Sequence, residues 1–263
     1  MPDYKQITSR CFINLPFTDF FQYQGIIIDQ LLQPEIGLEG EVLDTASADD
    51  FRNAAGILKK HRLRCTLHAP FGGLLPGAAD RSVLQATRRK LKKAFELIPL
   101  FEPASIVCHL GYETDKDGPG QEEWFATSLE TWEELLAIAE KEGALMMLEN
   151  TYETGPGLHD RIFRALDSTS AGFCLDVGHV NTFARNTWQD WLPALEPWLG
   201  QLHLHDNNGD GDRHLAPGQG SFDFKGLFDY LRERQLHPIM TLEPHSEETL
   251  WESLKALNSM KLF

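Results

Sequence analysis

Short apolar runs alternate with longer amphipathic segments along the whole chain, and this alternation predicts strand–helix units around a parallel sheet. The predicted strands run from Arg10 to Leu15, Ile36 to Val42, Arg64 to Ala69, Ser105 to Leu110, Ala144 to Glu149, Gly172 to Asp176, Gln201 to His205 and Ile239 to Glu243. Apolar positions at helical spacing, with charges between them, predict helices over Arg81 to Phe101, Glu122 to Glu142 and Phe224 to Gln235. Eight strands separated by helices fit a closed (β/α)8 barrel of the α/β class, an architecture that occupies about 250 residues as one domain. An open doubly wound sheet usually needs fewer strands. No linker divides the chain, so residues 1–263 are expected to form a single barrel domain.

The longest irregular stretches, Gly111 to Gly120 and Asn207 to Ser221, each follow a predicted strand at its C-terminal end, where a barrel builds its active site. Polar residues close six successive predicted strands: His68, His109, Glu149, Asp176, His203 and Glu243. In a barrel these would converge on one pocket. A lone histidine at a strand end is usually a satisfied structural residue, but six such groups in register are harder to explain that way. Burying carboxylates and imidazoles together without a cation would cost several kcal/mol per charge. A divalent metal removes that difficulty. Oxygen from Glu149, Asp176 and Glu243 with nitrogen from His203 suits Zn or Mn first, with Co, Fe or Mg as alternatives, and suits Ca less. His179 in the Asp176-Val177-Gly178-His179 turn, and Asp212 and His214 in the following loop, could hold a further metal or contact substrate. The count of ions therefore lies between one and three. Alternation places His205 on the same strand face as His203, and it is expected to support a ligand from outside. Trp124, Trp188, Phe17 and Phe71 are candidate pocket walls, although aromatic residues near strand ends more often belong to the core.

Composition narrows the function classes. No apolar run approaches the ~18 residues of a membrane helix, and Met1-Pro2-Asp3-Tyr4-Lys5 lacks the pattern of a signal peptide, which places the chain in the cytoplasm. Cys11, Cys65, Cys108 and Cys174 are widely spaced in apolar runs and read as buried thiols rather than a disulfide framework. A formal net charge of −15 argues against a nucleic-acid partner. Barrels of this size often form homo-oligomers, but the sequence marks no interface.

The pieces Leu148-Glu149-Asn150-Thr151, Leu175-Asp176-Val177-Gly178-His179, His203-Leu204-His205-Asp206 with Arg213-His214-Leu215-Ala216-Pro217-Gly218-Gln219-Gly220, and Leu242-Glu243-Pro244 resemble the xylose isomerase-like TIM barrel superfamily. The resemblance runs from about Asn14 to the C-terminus and is greatest for the sugar-phosphate isomerases and epimerases. It implies one divalent ion held by Glu149, Asp176, His203 and Glu243, with the two glutamates serving also as acid and base. The substrate would be a small sugar, sugar phosphate or related keto compound, with His179, Arg213 and Trp188 as candidate contacts.

The same superfamily contains zinc endonucleases for abasic DNA, whose further ions would correspond here to His68 with His109 and to His179, Asp212 and His214. Two departures separate this chain from both branches. Where the epimerases carry a substrate-contacting arginine, this sequence has Gly209, with Arg213 nearest. The stretch from Gly111 to Gly120 holds one lysine, Lys116, against Glu113, Asp115 and Asp117, unlike a DNA-inserting loop. The first expectation is a metal-dependent isomerase or epimerase. A multinuclear zinc phosphoesterase is the alternative, and a sugar- and metal-binding barrel without turnover is the third.

Overall fold

The computed structural model describes residues 4–113 and 120–260. Eight parallel strands close into a barrel in sequence order: β1 (Phe12–Pro16), β2 (Gln33–Gly37), β3 (Thr66–His68), β4 (Ser105–His109), β5 (Leu145–Glu149), β6 (Ala171–Asp176), β7 (Leu199–Leu204) and β8 (Ile239–Leu242). Closure comes from β1 against β8, where Phe12 faces Thr241 and Ile13 faces Leu242. The predicted barrel is therefore the observed one. The apolar runs give each strand an outward row that packs under the helices, with Ile36, Leu67, Ile106, Leu148, Leu175, Leu202 and Leu242 fully buried.

The boundary that matters most is β2. It begins three residues before the predicted strand and ends at Gly37, while Val42 starts a short helix, Val42–Thr45. Proline and glutamate at Pro34 and Glu35 read as non-strand, yet both lie inside β2, paired with Ile13 and Asn14 of β1. The predicted helix from Arg81 to Phe101 is two pieces, Arg81–Phe95 and Ile98–Phe101, the second carrying a proline in its first turn, where no amide donor is needed.

The lumen holds a small apolar cluster of Val107, Met147 and Cys174. Met147 reaches across because two neighbours lack side chains. A Cβ on Gly172 would lie 2.7 Å from its Sδ, and one on Gly200 would lie 2.5 Å from its Cε. All four cysteines are free and buried. Among the described residues no helix is long and apolar enough to cross a membrane.

Candidate metal centre

Parallel strands deliver their last residues to one rim, so the polar strand ends converge there. Glu149, closing β5, sits at the hub. Its Oε2 lies 3.2 Å from His68 Nε2, 3.5 Å from His109 Nε2 and 3.4 Å from His203 Nδ1, while its Oε1 lies 3.2 Å from His179 Nδ1. Glu243 follows β8 and places Oε1 3.0 Å from His203 Nδ1, and Asp176, closing β6, places Oδ2 3.9 Å from the same nitrogen. The fold thus brings Glu149, Asp176, His203 and Glu243 together. It also gathers His68, His109, His179, Asp212 and His214 around them.

The ring orientations follow a pattern. His68 Nδ1 lies 2.9 Å from the Ala69 carbonyl, His179 Nδ1 2.9 Å from that of Asn150, and His214 Nδ1 2.9 Å from that of Glu243. A carbonyl only accepts, so each Nδ1 carries a proton and each Nε2 is the nitrogen turned inward, protonated toward a carboxylate in the metal-free protein and free to bind once that proton leaves. Those Nε2 atoms face Glu149 Oε2 in the first case and Asp212 Oδ2, at 3.3 Å, in the other two. Such outer hydrogen bonds are how metal-binding imidazoles are oriented.

His203 and His205 depart from the pattern. The Nδ1 atoms of both are buried with no hydrogen-bond partner. At His203 that nitrogen faces three carboxylates in a geometry that suits no hydrogen bond. A buried nitrogen without a hydrogen bond among three carboxylates is unfavourable unless a cation, a proton or a metal ion, lies between them, and the mixed oxygen and nitrogen donors fit a divalent ion. His205 Nε2 lies 3.0 Å from each oxygen of Asp176, so this ring backs an aspartate at the site's edge.

Electrostatics bind the groups together. Burial pushes the Glu149 carboxyl up, but the rings of His109, His203 and His179 outweigh it and hold the group well below the usual carboxylate range. Asp176 is likewise buried, and His179 and His205 hold it at about 2. Burial pushes the imidazoles down, yet the carboxylates win at most of them. His68 is raised to about 9 by Glu149, His214 to about 9 by Asp212, and His179 and His203 stand well above the ordinary value. His109 goes the other way, to about 3, through burial and the neighbouring imidazoles. In the metal-free protein, protons hold positions that a divalent cation would take.

Local sequence explains how the loop after β7 reaches the site. Asp206 accepts backbone amides from Asn207, Phe222, Gly218 and Gly220, four bonds that fold residues 207–222 back over the strand end. Asn150 accepts the Asp176 amide and donates to the Asp176 carbonyl, locking β5 to β6. Asp176 Oδ1 accepts the His179 amide at 2.6 Å, capping the helix Val177–Phe183 and pointing His179 inward.

A cavity of about 620 Å³ opens over this centre, lined by Asn14, Glu39, Phe71, Tyr152 and His245 besides the groups above. Phe71 stacks on His109 with centroids 4.3 Å apart, which makes it a wall. Other candidate contacts lie elsewhere. Arg213 is exposed and paired with Asp210. Trp188 is buried beside a separate cavity with Asn181 and Arg185. Trp124 packs on Tyr112, and Phe17 lies in a cluster with Phe20, Phe21 and Phe51. Asp115, Lys116 and Asp117 lie outside the described residues. Sequence reasoning missed Glu35, buried beneath His203, and His245, whose ring stacks on His214. The first was hidden by the misplaced start of β2, and the second had no motif to mark it.

The model of the xylose isomerase-like TIM barrel family matches residues 34–260. An uncharacterized protein of Methanocaldococcus jannaschii, MJ1311, is 26% identical over 213 residues, which span 76% of this chain and 73% of that protein. Among solved structures, a D-tagatose 3-epimerase-like protein superposes with a TM-score of 0.83 at 22% identity, covering 95% of this chain and 97% of that one. A Thermus thermophilus protein whose crystals were soaked with ZnCl2 does so with a TM-score of 0.79 at 23% identity, covering 95% of this chain and 97% of that one.

Proposed function

Because this chain belongs to the xylose isomerase-like TIM barrel family, we propose that it is a metal-dependent isomerase or epimerase of a small sugar or related keto compound. The observation that carries this reading is the placement of two carboxylates, Glu243 Oε1 at 3.0 Å and Glu149 Oε2 at 3.4 Å, around the unpartnered Nδ1 of His203. The epimerase-like structural neighbour is consistent with it.

Glu149, Asp176, His203 and Glu243 would hold the principal ion, with zinc or manganese suited to the donor set. When bound, such an ion polarises a carbonyl and offsets charge that develops on its oxygen. The chain's own groups do the rest. One of Glu149 and Glu243 takes a proton from the carbon next to the carbonyl, and the other returns one. Glu243 keeps a 9% exposed side chain toward the cavity, whereas Glu149 is 1% exposed beneath it, so the former is better placed to reach substrate. His179, with Nδ1 fixed by Asn150 and Nε2 against Asp212, lines the cavity and would contact substrate from there, and Phe71 offers an apolar face.

The test is exchange of deuterium from heavy water into a panel of ketoses and keto acids by metal-replete protein. Exchange should occur on at least one, and Glu243→Gln should reduce it by roughly 10²–10⁴-fold, the usual worth of a general base. No exchange on any member would end the proton-transfer reading.

A second reading, phosphoester hydrolysis by two or three zinc ions, is favoured by the additional donor groups His68–His109–Glu149 and His179–Asp212–His214. Elemental analysis separates the two. One ion per chain supports the four-residue centre alone. Two or three zincs per chain, with cleavage of a phosphodiester that chelation abolishes, would put hydrolysis first.

A further inference from the structure

The lumen of a (β/α)8 barrel is usually filled by branched apolar side chains. Beneath the candidate centre this protein instead carries a carboxylate, Glu35 of β2, with no solvent exposure. Five side chains from four other strands surround it. Its Oε2 accepts from Gln201 Nε2 of β7 at 2.6 Å, Thr66 Oγ1 of β3 at 2.9 Å and Thr241 Oγ1 of β8 at 3.1 Å. Its Oε1 accepts from Asn14 Nδ2 of β1 at 3.3 Å and faces His203 Nε2 of β7 at 3.1 Å.

This arrangement is unlike a stabilising core. A buried ion is commonly replaceable by apolar packing with little loss or with a gain, so its presence here calls for a reason other than stability. The donor count supplies one. With both oxygens engaged by donors, Glu35 serves as an anionic acceptor, and the only role left for His203 Nε2 toward it is to donate. That fixes the proton on Nε2 and leaves Nδ1 as the atom facing Glu149 and Glu243. Gln201 Nε2 also lies 3.3 Å from His203 Nε2, but its two hydrogens serve its shorter contacts, Glu35 Oε2 at 2.6 Å and Thr241 Oγ1 at 3.1 Å, so neither is left for the ring. Gln201 Oε1 accepts from Ser105 Oγ at 2.6 Å, which orients its amide nitrogen toward Glu35.

We infer that Glu35 is a positioning residue for the metal centre, its carboxylate holding His203 in the Nε2–H tautomer so that Nδ1 is the ligand atom. The inference rests on the metal-binding reading above. Outer carboxylates of this kind orient a metal-bound imidazole and raise its basicity, and their loss typically costs 10–100-fold in metal affinity or activity.

The test is titration of chelator-treated protein with Co²⁺, followed by its visible absorption. Wild-type protein should bind, and Glu35→Gln should bind on the order of 10–100-fold more weakly, with an altered band, since the ligand geometry changes. A residue that only supported the fold would lower the melting temperature of the metal-free protein and leave cobalt affinity and spectrum as in wild type. That outcome overturns the inference. Wild-type protein that binds no cobalt overturns the metal reading itself, a distinguishable result. Imidazole-nitrogen NMR of the zinc-loaded wild type tests the same point without a variant. A protonated Nε2 on His203 is the expected result, and a protonated Nδ1 would refute the assignment even if Glu35→Gln did not fold.

Discussion

The rings of His205 and His214 lie parallel, with centroids 3.8 Å apart and 2° between their planes. Both are close to Asp212, yet this stacking prevents them from sharing an ion. An imidazole lone pair lies in the ring plane, and a metal ~2.0–2.1 Å from both nitrogens would have to sit well out of both planes. Asp212 Oδ2 is instead approached by His179 Nε2 and His214 Nε2, each at 3.3 Å. An additional ion on this side would then fall to His179, Asp212 and His214 rather than to His205 and His214 together. His214→Ala should lower the zinc content of a multinuclear protein by about one equivalent per chain, while His205→Gln should not, and mass-spectrometric metal analysis reads the difference. Loss of the same equivalent from both variants would refute the assignment.

Gly178 is a second consequence of His205. A Cβ there would lie 2.0 Å from His205 Cε1, a contact no side chain survives without movement. The ring is held below by Asp176 and above by His214, so it cannot yield cheaply. Overpacking of this kind costs about 1–3 kcal/mol. Gly178→Ala should lower the unfolding free energy by that amount in urea titrations and reduce metal affinity, because displacing His205 also removes a support of Asp176. An unchanged midpoint would mean that the turn relaxes freely.

The eight-strand plan was legible because parallel strands buried on both faces read as apolar runs, and the strand-end polar residues stood out against them. The same logic hid Glu35. A glutamate after a proline reads as a loop, and only the barrel shows that five donors satisfy it. Trp188 and Arg213 show the opposite error. Residue type suggested substrate contact for each, but nothing in a single sequence says that Trp188 turns into a neighbouring cavity or that Arg213 pairs with Asp210 three positions back. Side-chain direction on loops and helix starts is decided by tertiary packing, which strand periodicity does not encode.

The raised imidazoles predict an alkaline weakness in the metal-free protein. Burial alone would lower His68 and His214, but Glu149 and Asp212 raise each to about 9. A folded pKa above the unfolded value of ~6.5 means stabilisation that is complete below pH 6.5 and lost as pH rises through about 9. Each group contributes up to about 1.4 kcal/mol per pH unit in that window. Chelator-treated protein should therefore be less stable to urea at pH 9 than at pH 6.5. Bound zinc should remove most of this dependence, since the ligands then carry no titrating proton. Equal slopes with and without zinc would show that these rings are not ligands.

His159 predicts the opposite slope on the acid side. It is fully buried on the helix Gly157–Leu166, with ring centroids 5.2 Å from Phe173, 5.7 Å from Trp191 and 6.2 Å from Phe163. Burial in that aromatic cage pushes its pKa down to about 3. The folded protein keeps the ring neutral while the unfolded chain protonates it near ~6.5, so the unfolded state binds more protons between pH 6.5 and about 3. Stability contributed by the neutral ring is present above pH 6.5 and is lost as pH falls through that window. His159→Phe keeps the packing and removes the titration. Its melting temperature should fall less steeply than that of wild type between about pH 6.5 and 4.5, with the two proteins separating in the variant's favour as the solution is acidified. Parallel curves over that range would show that the cage accommodates a charged ring, which its three aromatic neighbours give no means to solvate.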